Sequence, residues 1–238
     1  GKSKVPIMNS AGGTEVSGSI LHCCLHRPFK VGSFNAPIPG MSADILNLDG
    51  QKVSTNEMGE LVMRKSSIGL TKSLWNDDKR YIDNYWSVIK DYWVHGDLAS
   101  RDADGHWYLH GRSDDTIKVS GKRIGPSELE SVIVKSGKAK EVAAVGIPDA
   151  NKGSKIILSI VPAENNDQKE SFFEDLVIKD LGKSFKPDKV IFVKDLPKTR
   201  NMKIMRRVIK SCLANQDPGD LSTLLNPESV EEIRSHAI

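Results

Sequence analysis

The sequence predicts an α+β fold in two parts, a strand-rich first part followed by a smaller unit in which strands and helices alternate. Three observations predict it. Up to about Gly69 short apolar runs alternate with turn formers; the same texture resumes around Trp93 and Trp107; and beyond Gly121 segments of helical and of strand periodicity follow one another.

Taken in order, SILHCCL, ADILNL and ELVMRK have the length and composition of short strands. Asp49-Gly50 separates ADILNL from a second extended run and Gly59 interrupts the chain before ELVMRK, so a hairpin or small barrel is expected. The stretch from Thr71 to Trp93 is rich in charge and aromatics, with Asp77 or Asp78 suited to cap a short helix running from Lys79 to Tyr85. RDADGHWYLHGR predicts a hairpin whose Asp104-Gly105 pair supplies the positive φ angles of a tight turn. Pro126 and Ser127 then open a helix that puts Leu129, Val132 and Ile133 on one face. After it EVAAVGI, KIILSIVPA and KVIFVKDLP read as strands, FFEDLVIKDLG and IMRRVIKSCLA as helices, and ESVEEIRS, in the polar tail, as a short helix.

Composition narrows the function classes. Thirty-four basic against thirty-one acidic residues leave a net charge of +3, too small for a nucleic-acid surface. The three cysteines form neither a CxxC metal pattern nor a disulfide framework, which fits a reducing cytoplasm. No apolar run approaches the roughly 20 residues of a membrane span, and the basic start GKSKVP is not followed by a signal-peptide core. A cytoplasmic protein with no membrane and no nucleic-acid partner is expected.

Four clusters carry chemistry, each with a plainer alternative. In Gly12-Gly13-Thr14-Glu15 the glycines allow close backbone approach, Thr14 suits a phosphate oxygen and Glu15 a Mg²⁺; the alternative is a surface turn. In His95-Gly96-Asp97-Leu98 the Asp97 carboxylate can accept both ribose hydroxyls, or merely cap a turn, and His95 reads as structural. The run from Gly111 to Ile124 packs arginines, lysines and carboxylates around small residues, which suits phosphate or ribose oxygens, while on spacing alone a solvated linker is the commoner reading. The run Pro197 to Arg207 is a basic loop entering a basic helix, in which Lys203 can neutralise charge at an α-phosphate or simply face water.

In this order and at these intervals, TE, strand-Gly-Asp, GRxDDxIKxxGxRIxPxExE and PKTxxxKxxRR resemble the adenylate-forming superfamily over nearly the whole chain. Trp75-Asn76-Asp77, Tyr81 to Trp86 and the tail PGDLSTLLNPESVEEI are most similar to the acetyl-CoA synthetase branch of its AMP-forming acyl-CoA synthetases. The resemblance implies a ligase that converts a short- or medium-chain carboxylate with ATP to acyl-AMP and then transfers the acyl group to coenzyme A. Residues 1–113 would be the carboxyl-terminal part of the large AMP-binding domain and 114–238 the small mobile domain.

The same resemblance implies that Thr14 contacts the α-phosphate, Glu15 holds Mg²⁺, Asp97 takes the ribose hydroxyls and Arg112 ribose or phosphate oxygens. Lys203 would be catalytic in adenylation, and Asp114 the hinge between half-reactions. Gly121 and Arg123 would face coenzyme A at the thioester-forming site. A lysine acetyltransferase and deacetylase acting on Lys203 are further implied partners.

The sequence departs from the family pattern in three places. The glycine-rich phosphate loop expected before the Thr-Glu motif is absent, so most of the large amino-terminal domain is expected to be missing and the chain alone inactive. Gly12 stands where the acetyl-specific branch has a tryptophan, which opens the pocket to longer acyl chains at about 0.8 kcal/mol per buried methylene. Asn201-Met202 replaces the Ser-Gly before the lysine. The competing expectation is a non-catalytic remnant that binds nucleotide or a partner subunit.

Overall fold

The structure, a computed structural model, describes residues 5–164 and 167–238. The chain divides into two compact units, Gly1–Asp114 and Asp115–Ile238.

In the first unit β1 (Ser10–Gly13), β2 (Gly18–His22) and β3 (Ala36–Pro37) form an antiparallel three-stranded sheet. β4 (Ala43–Leu46), β5 (Gly59–Met63), β6 (Trp93–Arg101) and β7 (Trp107–Arg112) form a four-stranded antiparallel meander. Every residue of β5 is buried, because Leu61 and Met63 enter one apolar cluster with Ile20, Tyr81, Trp93 and Trp107, while Val62 enters another with Leu46, Ile89 and Val94. The unit is thus two sheets, joined through the Phe34–Trp107 bridge and sharing the Ile20, Leu61 and Trp107 cluster. The Asp49-Gly50 turn closes only a single bridge, Leu46 to Lys52, and β4 finds its ladder on β5.

The helix expected from Lys79 to Tyr85 is present, with its geometry changing part-way. α1 (Asp78–Tyr81) begins where Asp77 accepts the Arg80 N–H at 3.2 Å, and Ile82–Trp86 continue it as a wider turn. The β6–β7 turn also differs in detail: Gly105 has φ 83, but Asp104 is not among the residues of positive φ. Asp102 makes the turn instead, accepting the Asp104 N–H at 3.0 Å and the His106 N–H at 2.8 Å through one oxygen.

The second unit opens with a hairpin that the charged sequence concealed, β8 (Ile117–Val119) and β9 (Lys122–Ile124). Its two-residue loop has Ser120 at φ 50 and Gly121 at φ 81, the twist that a two-residue connection between antiparallel strands requires. α2 (Pro126–Lys135) follows, with Pro126 in its first turn and the Glu128 carboxylate accepting the Gly125 N–H at 3.0 Å. Leu129, Val132 and Ile133 form its buried face, as the spacing predicts.

β10 (Ala139–Asp149) and β11 (Gly153–Pro162) form a long antiparallel hairpin, and β12 (Lys189–Phe192) adds to β11 in parallel. α3 (Glu170–Leu181) precedes β12, and α4 (Arg206–Leu213) and α5 (Glu228–Arg234) follow it. One sheet face packs on Leu129, Ile133, Phe173 and Val177 of α2 and α3, the other on Val208, Ile209 and Ile233 of α4 and α5. This is a helix-covered sheet with apolar side chains on both faces.

Candidate functional site

In the first unit β6 is deformed where the sequence reading placed Asp97. From Val62 to Glu60 is two steps along β5, while their partners Val94 and Leu98 are four steps apart on β6. The extra residues bulge outward and contain Gly96 at φ 80. A Cβ on Gly96 would lie 2.7 Å from Nη2 of Arg112, so this glycine admits the guanidinium against the backbone. Arg112 donates from Nη1 to the His95 carbonyl at 3.0 Å and from Nε to Asp114 at 3.1 Å, and its Nη1 lies 3.6 Å from Oδ1 of Asp97. The other Asp97 oxygen lies 3.3 Å from Nε2 of His95. The bulge therefore presents a mostly buried carboxylate flanked by an arginine and an imidazole.

Glu15 lies in the single helical turn Thr14–Val16 that follows β1. Its Oε1 accepts the Tyr85 hydroxyl at 3.1 Å, and Tyr85 stacks on Trp93, whose ring in turn lies 5.5 Å from that of His95. Burial and the Glu15 charge raise the Tyr85 pKa, which keeps the hydroxyl a donor. A Cβ on Gly13 would meet both Oε2 of Glu15 at 3.0 Å and Cε1 of His95 at 3.2 Å, so Glu15 adjoins the group formed by His95, Asp97 and Arg112. Thr14, beside Glu15, is exposed. The expected Mg²⁺ fits this donor set: one carboxylate with an oxygen directed away from its tyrosine partner is what the ion takes when phosphates supply the remaining ligands. Among the described residues no group of three or more His, Cys, Asp or Glu is arranged to hold a metal without such phosphates.

The sequence reading missed the role of Glu60. It is 7% exposed, hydrogen-bonds to Ser113, and keeps a buried Oε2 without a partner. Burial raises its pKa, against the pull of Ser113 and Arg112. A carboxyl raised in the fold favours folding below its unfolded value of about 4.3 and loses that contribution as pH rises through the folded value. Glu60→Gln, which keeps an acceptor for Ser113, is expected to stabilise the chain at pH 8 more than at pH 5 in urea denaturation.

In the second unit Gly121 sits at the tip of the β8–β9 hairpin, where an added Cβ would meet nothing within 4 Å, and Arg123 is exposed opposite Lys118. Lys203 stands at the tip of another hairpin. Lys198 bridges Ile204, the Thr199 N–H donates to the Lys203 carbonyl at 2.9 Å, and the Met202 N–H donates to Thr199 at 2.8 Å. The Lys203 side chain is exposed. Met202 has φ 62, so it adopts the backbone that the Ser-Gly pattern reserves for glycine. Met202→Gly is expected to stabilise the unit by about 1 kcal/mol, measurable by urea denaturation. Asp114 is exposed at the last position of the first unit. The structure thus gathers Glu15, Asp97 and Arg112 on the first unit, and puts Gly121, Arg123 and Lys203 on hairpin tips or beside them in the second. No described helix is long and apolar enough to cross a membrane.

Comparison with known proteins finds relatives for the chain. Residues 128–203 match the AMP-binding enzyme C-terminal domain. The chain is 38% identical over 240 residues to the acetyl-coenzyme A synthetase of Methanothrix thermoacetophila, covering 98% of itself and 36% of that protein. The acetoacetyl-CoA synthetase of Streptomyces lividans superposes with a TM-score of 0.85 at 22% identity, over 98% of this chain and 36% of that one. The anthranilate CoA ligase AuaEII, solved with anthranoyl-AMP, gives 0.71 at 26% identity, over 85% of this chain and 39% of that one. The chain spans little more than a third of the length of these relatives. With a match to the AMP-binding enzyme C-terminal domain at residues 128–203 and similarity along almost all its length, the chain is a homologue of part, little more than a third, of the acetyl-coenzyme A synthetases.

Proposed function

We propose that the chain is the nucleotide-gripping and lysine-bearing part of an acyl-CoA synthetase that activates a short- or medium-chain carboxylate with ATP and passes the acyl group to coenzyme A. The observation that carries this reading is the β6 bulge, which holds Asp97 between His95 and Arg112, in a group that Glu15 adjoins.

In the first half-reaction a carboxylate oxygen bonds to the α-phosphorus and the bond to pyrophosphate breaks. In the second the coenzyme A sulfur bonds to the acyl carbon, its proton is lost and AMP leaves. Asp97 accepts the two ribose hydroxyls, Arg112 beside it holds ribose or phosphate oxygens, and Thr14 meets the α-phosphate. Glu15 would hold Mg²⁺, which would supply charge neutralisation at the phosphates. Lys203 offsets the negative charge shared by the carboxylate and the α-phosphate during adenylation. Asp114 serves as the pivot between half-reactions, and Gly121 leaves room for the pantetheine arm beside Arg123.

Gly12 supplies no side chain to floor the pocket, which leaves room for an acyl chain longer than acetyl. Acetylation of Lys203 by a lysine acetyltransferase would erase the required charge and its removal would restore it.

The deciding experiment is Lys203→Ala in the enzyme with its complete adenylating domain. ATP–pyrophosphate exchange is expected to fall by about 10²–10³-fold, while thioester formation from supplied acyl-AMP persists. Survival of both half-reactions would overturn the assignment. Nucleotide binding without any exchange activity in the unmutated enzyme would identify a remnant instead.

A further inference from the structure

Five residues before Lys203 the same hairpin carries a second lysine in the opposite environment. Lys198 is 6% exposed. Its Nζ lies 2.6 Å from Oδ1 of Asp195 and 2.6 Å from Oε2 of Glu141, a residue of β10. Asn226 closes the cluster: its Nδ2 donates to Asp195 Oδ2 and to the Leu196 carbonyl, both at 2.8 Å, and its Oδ1 accepts the Lys198 N–H at 3.0 Å. Lys198 is also the foot of the hairpin, bridging Ile204 within the strand pair, while the Leu225 N–H donates to its carbonyl at 2.8 Å.

A buried ammonium between two carboxylates is a poor device for stability, since an apolar residue of similar volume usually serves as well or better. Its distinctive property is geometric: the charge has one seat, between a local carboxylate and one borne by the sheet, and the backbone that carries it must follow. An apolar side chain would fill the same space while tolerating displacement of the loop. Besides this foot the hairpin is held by the Met205 N–H to Pro197 carbonyl contact at 2.8 Å, by the Thr199–Leu224 bridge and by the Arg200 N–H to Thr223 carbonyl contact at 3.3 Å, none of which reaches β10 as the Lys198 ammonium does.

We propose that Lys198 is the positioning residue of the lysine hairpin: seated between Asp195 and Glu141, its ammonium fixes the hairpin's foot on β10 and so aims Lys203 at the reacting phosphate. The proposal rests on the reading of Lys203 given above, and the test separates the two.

In the enzyme with its complete adenylating domain, Lys198→Met, Lys198→Arg, Glu141→Gln and Lys203→Ala are compared by ATP–pyrophosphate exchange, by thioester formation from supplied acyl-AMP, and by thermal melting. Lys198→Met is expected to lower kcat of adenylation about 100-fold, the usual effect of an ångström-scale misplacement, with the KM for ATP and the thioester step little changed. Lys198→Arg, which keeps the charge and its partners, is expected to recover most of that loss, and Glu141→Gln to lose about 10-fold.

Wild-type adenylation by Lys198→Met, or an equal fall of both half-reactions, would overturn the positioning role. If Lys198→Met fails to fold, Glu141→Gln decides, and its unchanged adenylation overturns the proposal. If Lys203→Ala adenylates normally, the reading of Lys203 itself is lost. If Lys203→Ala is inactive while a folded Lys198→Met is active, only the positioning role is lost.

Discussion

Glu130→Ala is expected to destabilise the second unit by about 3 kcal/mol. Glu130, on α2, receives Arg206 in a two-pronged grip, Nε to Oε1 at 2.9 Å and Nη2 to Oε2 at 2.7 Å. The same Oε1 also accepts the Ala144 N–H of β10 at 3.0 Å. One carboxylate therefore ties a helix, a strand and the first residue of α4. Burial alone would lower the Arg206 pKa, but the hydrogen bonds and charge of Glu130 outweigh it, so the guanidinium stays charged and needs its partner. Removing that partner leaves a largely buried cation and a strand amide unanswered. The Arg206 side chain keeps 25% of its exposure, so water relieves part of the penalty and the lower end of the range for broken buried pairs applies. Glu130→Gln, which retains an acceptor for Ala144, is expected to lose about 1 kcal/mol. Urea denaturation of both variants checks the difference.

Gly12→Trp is expected to unfold the β1–β2 pairing instead of restoring an acetyl-specific pocket. A Cβ at Gly12 would lie 2.0 Å from the Gly18 carbonyl oxygen and 2.5 Å from the Ser19 Cα, both main-chain atoms that no rotamer change can clear. The ladder slips between Ala11 and Gly12, bringing β2 onto the glycine. Overpacking of this kind costs about 1–3 kcal/mol when side chains can yield, and here the backbone itself must move. Loss of folded signal or of hydrogen-exchange protection at Ile20 and Leu21 is the expected result. A well-folded Gly12→Trp enzyme that accepts acetate and rejects longer acids would show that Gly12 is only a vacant floor and that β1 can re-register around it.

What the sequence made legible follows from range. The α2 face of Leu129, Val132 and Ile133 and the Asp77 cap depend on neighbours within one turn, so spacing alone locates them. Asp104-Gly105 and Asp49-Gly50 marked turns correctly, but the turns' construction did not follow from the pairs: Asp102 shapes the first, and the second closes a single bridge. The β8–β9 hairpin was hidden because its outward positions, Lys118, Lys122 and Arg123, are all basic and gave the segment the look of a linker. At the candidate site the residue types were legible and their support was not. That Asp97 sits on a two-residue bulge, that Glu15 is held by Tyr85, and that Lys198 is buried while Lys203 is exposed all depend on partners far along the chain.

β11 has a consequence for how the second unit finds its register. Ile156, Leu158 and Ile160 face one apolar cluster and Ile157 and Val161 the other, so a slip by one residue exchanges one greasy face for another and meets little penalty from polarity. The pattern that usually counts residues for a strand is mute here. The counting passes to the β10–β11 turn, where Asp149 captures the Asn151 and Lys152 N–H groups at 3.0 and 3.1 Å and Gly153 takes φ 85 to start the return strand. A short polar loop at the surface acts as the ruler for the most deeply buried strand of the unit, and with it for every residue that β10 holds in place, Glu141 included.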